Sequence, residues 1–274
     1  MGSDNVFSAF GTVIPALLLA GSVYVYVSLI RQVRARVTEA PSLINPPRLY
    51  GWPEALAASL LASYFLANVA LSILTPHQVK ALGTLDLAAY TIVTMSMFLG
   101  LAIFLHLRRF DLGTLGGFSR ISFGRVIATG VLLLLAAYPL VVLAEVITQK
   151  IARSNLERQE IIEVFTASNT LEQRALIILL AVTVAPLTEE FFFRFFLYGV
   201  LKRYFGRAVG MLANAILFAA VHAHIPSFAP LFVLGMCLTI AYEWSGSILV
   251  SMTMHALFNA LALTALAFPE TFPQ

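Results

Sequence analysis

Apolar residues in this chain come in runs of roughly twenty, and the polar residues between them are gathered into short links. At 1.5 Å per residue, about 20 apolar residues cross a hydrocarbon layer about 30 Å thick. Eight runs qualify, at 7–30, 54–75, 86–107, 126–148, 175–203, 208–223, 228–244 and 247–268. The pattern predicts an all-α, polytopic helical bundle integral to a membrane, with about eight transmembrane helices. The first run, Val6 to Ile30, follows no basic residue and is longer than a signal-peptide core, so it is expected to stay as a membrane anchor. From Ala175 to Phe205 the fifth run is too long for an upright helix, so it must tilt strongly or kink at Pro186.

The links divide the chain further. Residues 1–148 hold four spans, 175–268 hold four more, and 269–274 form a tail. Between the halves, segment 149–174 mixes Ile151, Leu156, Ile161, Ile162, Val164 and Phe165 with charges, the pattern of an amphipathic helix on the membrane surface. Basic residues collect in the links 31–53 and 108–125 and in the turn after the fifth span, eleven Lys/Arg against five in the alternate links. By the positive-inside bias the first set faces the cytoplasm and both termini face the other side.

Composition agrees with this picture. Only 11% of the 274 residues are charged and 59% are hydrophobic, against about 25% charged in soluble domains, which excludes a water-soluble globule. The net charge of +3 is spread over several loops and gives no sign of nucleic-acid binding. A single cysteine, Cys237, rules out a disulfide framework or a cysteine-based metal site within one chain.

Against that background, three charges stand inside an apolar run: Glu189, Glu190 and Arg194, among five phenylalanines. At about 2.5–3.5 kcal/mol each in mid-membrane, they cost roughly 7–10 kcal/mol unless compensated. Glu190 and Arg194 are four apart and can pair on one helix face, while Glu189 points about 100° away. A structural ion pair accounts for two of the charges and leaves Glu189 as a buried, unpaired acid. Two later spans carry Asn214, Phe218 and His222 on one face, and His255 with Asn259 four apart. Taken singly, His222 and His224 read as interfacial or core histidines, and His255 with Asn259 as a hydrogen-bonded pair facing the bundle. Depth joins the sites: Glu189 lies about 21 Å from the cytoplasmic end of its helix near Arg203, His222 about 21 Å from the start of its span near Ala208, and His255 about 12 Å from Ser247, so a tilted fifth helix would bring them to one cavity.

A carboxylate and an imidazole can hold a water and take its proton as it attacks a carbonyl, and His and Asn N–H groups can stabilise the resulting oxyanion. The chemistry these residues suggest is amide hydrolysis. Neither a Gly-x-Ser-x-Gly elbow nor an HExxH helix is present. Zinc held by Glu189, His222 and His255 is the alternative arrangement, and the residue types do not separate the two.

The ordered set Glu189-Glu190-x-x-x-Arg194, Phe218-x-x-x-His222 and His255-x-x-x-Asn259 resembles the motifs of the CAAX protease and bacteriocin-processing family. These intramembrane endopeptidases include the Ras-converting CAAX prenyl protease. The resemblance spans about 175–268. It implies that Glu189 and His222 activate water, that His255 and Asn259 form the oxyanion hole, and that Glu190 and Arg194 support the site. It also implies a peptide or protein substrate, prenylated or otherwise membrane-associated, met in the lipid bilayer of a prokaryotic plasma membrane. The His-plus-Asn pair reads as an oxyanion hole and not as ligands, so a metal-free, glutamate-based mechanism is expected, with zinc as the alternative cofactor. Two competing functions come from other classes: a non-catalytic immunity or scaffold protein of the same family, and an ion or solute transporter. The motifs cluster in one half without a matching broken helix in the other, which is unlike a repeat-built transporter.

Overall fold

The structure is a computed structural model, and it describes residues 3–38, 49–75, 83–152 and 170–268. Among these, every regular element is helical. The first half contains α1 (Ser3–Thr38), α2 (Trp52–Leu74), α3 (Thr84–Leu107), the short α4 (Leu112–Gly116) and α5 (Phe123–Ala152). The second half opens with α6 (Leu171–Leu179), a π-helical stretch Leu180–Val184, α7 (Ala185–Glu190), a second π-helical stretch Phe191–Leu197 and α8 (Tyr198–Ala220). After a 3₁₀ turn at Ile225–Ser227 come α9 (Phe228–Ser245) and α10 (Ile248–Ala267).

Seven stretches among the described residues are long and apolar enough to cross a membrane, and the chain is an integral multi-pass membrane protein. The fifth of them, Leu171–Ala220, is 50 residues long and contains two of the eight expected runs. It is not one rod. Gly206 has φ 79° and ψ 169°, a region open essentially to glycine alone. The chain doubles back there: a Cβ on Gly210 would lie 2.9 Å from the backbone nitrogen of Lys202, whereas eight residues of straight helix span about 12 Å. Glu243 of α9 fastens this hairpin, accepting from Lys202 Nζ at 2.8 Å, Arg207 Nε at 2.6 Å and the Tyr198 hydroxyl at 2.9 Å.

The packed centre is made by α5, α8, α9 and α10, with α1 laid against α5 and α9. The outer helices α2 and α3 leave Leu60, Leu71, Ile73, Tyr90 and Ile92 uncovered, which is the surface a bilayer would solvate. Links rich in basic residues meet at one end of the bundle. Arg36 at the end of α1 donates to Trp244 O at 2.7 Å, and Arg108 at the end of α3 donates to Glu54 at 2.7 Å. The hairpin with Lys202 and Arg207 lies beside Glu243 at the same end of α9 as Trp244. The amphipathic segment expected over 149–174 falls mostly on 153–169, outside the described residues, as does the tail 269–274.

Candidate active site

The fifth run was expected to tilt or kink at Pro186. Its solution is a change of helical register on both sides of the two glutamates. The N–H of Ala185 bonds Leu180 O, five residues back. The next donor in that register would be residue 186, and proline has none, so the Ala181 carbonyl is left over. Asn259 of α10 takes it, donating Nδ2–H to Ala181 O at 2.8 Å. The stretch Phe191–Leu197 repeats the device, with Tyr198 N–H bonding Phe193 O five residues back. The six residues Ala185–Glu190 are thus set between two π-helical turns, a feature frequent at functional sites.

Glu190 and Arg194 are both fully buried, and Arg194 Nη1 donates to Glu190 Oε1 at 2.9 Å. Arg194 Nη2 donates to Gly235 O at 3.3 Å, and its guanidinium carbon lies 4.1 Å from the centre of the Phe218 ring. The same Glu190 oxygen meets His255 Nδ1 at 2.9 Å. Since a carboxylate accepts, His255 carries a proton on Nδ1 and turns Nε2 outward. That nitrogen faces Glu189 Oε2 at 3.8 Å, too long for a hydrogen bond but within reach of one shared oxygen atom. Glu189 is 22% exposed, so it is not the fully enclosed acid expected from the sequence, although Oε2 itself is buried and has no partner among the described residues.

His222 sits just past the end of α8, where its Nδ1 meets Phe218 O at 2.7 Å. A carbonyl only accepts, so Nδ1 holds the proton and Nε2 presents a lone pair. The Phe218 ring joins the set, with ring centres 5.0 Å from His222 and 5.7 Å from His255. Below it, Asn214 donates to Thr239 and Thr239 to Gly235 O, the carbonyl that Arg194 also holds. His224 turns away to Ser227 at 2.7 Å.

One further sequence reading is corrected by this geometry. His255 and Asn259 do not pair with each other: each reaches back to the fifth run, to Glu190 and to Ala181 O. One of the two Asn259 amide hydrogens is therefore committed to the backbone, leaving one for another acceptor. Two contributors were missed. Glu243 carried a signal, being the one acid in an apolar run at 228–244. Tyr50 carried none, lying in a proline-rich link far away in sequence.

Zinc was the alternative cofactor. Among the described residues no three His, Cys, Asp or Glu side chains are arranged to hold one metal ion, so the residues present do not fit that group.

Fold and site together define a multi-pass membrane protein whose C-terminal half encloses a Glu–Arg–His cluster beside a second, partly open glutamate. Residues 171–261, about a third of the chain, match the family model described as Rce1-like, type II CAAX prenyl endopeptidase Rce1-like. All the site residues from Glu189 to Asn259 fall inside the match, and residues 1–170 lie outside it. No curated protein and no solved structure matches the chain.

Proposed function

We propose that this protein is an intramembrane endopeptidase that hydrolyses a peptide bond of a prenylated or otherwise membrane-anchored substrate by direct attack of water. The observation that carries the reading is the approach of Glu189 Oε2 to His255 Nε2 at 3.8 Å, with His255 fixed from behind by the buried Glu190. The match of residues 171–261 to the Rce1-like family model supports the reaction class.

In this reading Glu189 and the free Nε2 of His222 are the two proton acceptors around the attacking water. The water oxygen bonds the scissile carbonyl carbon, its proton passes to this pair, and the C–N bond breaks as the proton is handed on to the leaving amine. His255 donates to the oxyanion through Nε2–H when the ring holds both protons. With Glu189 and Glu190 ionised and Arg194 and His255 charged, the cluster sums to zero, which suits a low-dielectric site. The remaining Asn259 N–H is the second oxyanion donor.

An apolar cavity of about 180 Å³ is lined by Phe98, Leu187, Phe191, Leu249 and Met252. Leu187 and Phe191 belong to the helix that carries the two glutamates, so a hydrocarbon moiety held there would lie against that helix. The reading is tested with purified protein in detergent and matched peptides with and without a prenyl group on a near-C-terminal cysteine. Mass spectrometry should find internal cleavage of the prenylated peptide, undiminished after dialysis against a strong chelator. Loss of activity to the chelator and its recovery with zinc would contradict the water-and-glutamate mechanism.

A further inference from the structure

An outside donor reaches each of the two π-helical turns that frame the glutamates, and only one of those donors belongs to the C-terminal half. Asn259 serves the first turn. The second is served by Tyr50, from the link before α2 and outside the family match, whose hydroxyl donates to Phe195 O at 3.1 Å. Phe195 follows Arg194 directly, inside the turn where backbone pairing runs five residues back, so the Tyr50 hydroxyl ties this segment from outside the helix beside Arg194.

The Tyr50 ring is seated to do this. It stacks on Phe110 with centres 5.1 Å apart and meets Phe196 edge-on at 6.1 Å. It also lies against Gly199, where a Cβ would stand 2.5 Å from the ring, so no larger residue at 199 leaves the tyrosine in place. Three contacts thus bring one hydroxyl to one carbonyl of the site helix. All seven residues of the turn are buried.

We infer that Tyr50 is a positioning residue for the active site: its hydroxyl anchors the backbone of the second π turn at Phe195, next to the Arg194 that holds Glu190 and so His255 toward Glu189. The consequence of losing it is geometric. Annealing a π turn to α-helix removes one residue of offset, a rotation of about 100° between the chain on either side. The chain from Phe195 onward would turn relative to Glu189 and Glu190, and the Arg194 side chain between them would shift the carboxylate that orients the His255 Nδ1–H. Through this side chain the N-terminal half reaches a site whose reacting groups all lie after residue 188.

The kinetic arm of the test rests on the proposed protease function, and a spectroscopic arm does not. Tyr50→Phe removes only the hydroxyl and keeps the stack on Phe110, so the protein should fold. With the prenylated peptide, kcat should fall about tenfold with KM within twofold of the parent. With [15N]histidine labelling in detergent, the His255 Nδ1 proton resonance should shift while those of His106 and His224 stay in place. Gly199→Ala, which displaces the ring from the opposite side, should reproduce both effects. Parental kcat and an unmoved His255 resonance in Tyr50→Phe would overturn the inference. A fall in thermal stability and activity with the His255 resonance unmoved would also overturn it, since that is structural loss alone. If the parent cleaves no peptide yet Tyr50→Phe shifts the His255 resonance, the positioning role stands and the protease reading fails.

Discussion

Arg194 is the residue whose removal interrogates the buried cluster most cleanly. Arg194→Met replaces the guanidinium by an unbranched apolar chain of similar helix propensity. It deletes the 2.9 Å bond to Glu190, the 3.3 Å bond to Gly235 O and the cation 4.1 Å over Phe218. Glu190 stays fully buried, with Oε1 held by His255 alone and Oε2 without a partner among the described residues. Stranding one charge of a buried pair costs about 3–5 kcal/mol, and the surviving His255 bond sets the expected loss at the lower end, about 3 kcal/mol. Glu190→Gln strands the arginine instead, but Gly235 O and the Phe218 face still hold it, for a loss of about 2–3 kcal/mol. The double variant strands neither charge and should lose about 3 kcal/mol, where simple addition gives about 5–6, a coupling of about 2–3 kcal/mol. Unfolding by SDS titration in mixed micelles, followed through Trp52 and Trp244 fluorescence, measures each corner of the cycle. Losses that add to within about 0.5 kcal/mol would refute the pairing argument.

Other consequences are checked separately. Asn259→Ala should lower turnover about 100–1000-fold by removing an oxyanion donor, and should also cost about 1–3 kcal/mol by orphaning the Ala181 carbonyl; unchanged stability with lost turnover would show that the Ala181 bond is dispensable. Gly206→Ala forces a side chain into φ 79° and should destabilise the hairpin by about 1–3 kcal/mol in the same SDS titration. For orientation, Ala35→Cys, Leu115→Cys and Tyr204→Cys in a Cys237→Ser background should be shielded from an impermeant thiol reagent in intact cells. Labelling of all three from outside would invert the topology.

Much of the fold was legible because a bilayer demands apolar runs of fixed length, and a chain cannot hide eight of them. The Glu190–Arg194 spacing was legible for a similar reason, since i,i+4 residues share a face in any helix. What escaped the sequence depends on backbone register or on distant chain. The π turns have no side-chain periodicity of their own, and Pro186 marks only the first of them. The i,i+4 spacing of His255 and Asn259 placed them on one face correctly, but spacing within a helix says nothing of partners across it. Those partners, Glu190 and the Ala181 carbonyl, are 65 and 78 residues away. Tyr50 is 145 residues from the carbonyl it serves, in a link that reads as a loop.

The central claim is that Glu189 takes the proton of the attacking water while Glu190 and Arg194 hold the frame. It is tested most directly by the cleavage rate of Glu189→Gln, measured by mass spectrometry on the prenylated peptide. The protein should be folded by SDS titration to within about 0.5 kcal/mol of the parent, because Glu189 makes no hydrogen bond among the described residues and is partly open to its surroundings. The expected result is a stable protein with no detectable hydrolysis. Parental turnover in Glu189→Gln would contradict the account.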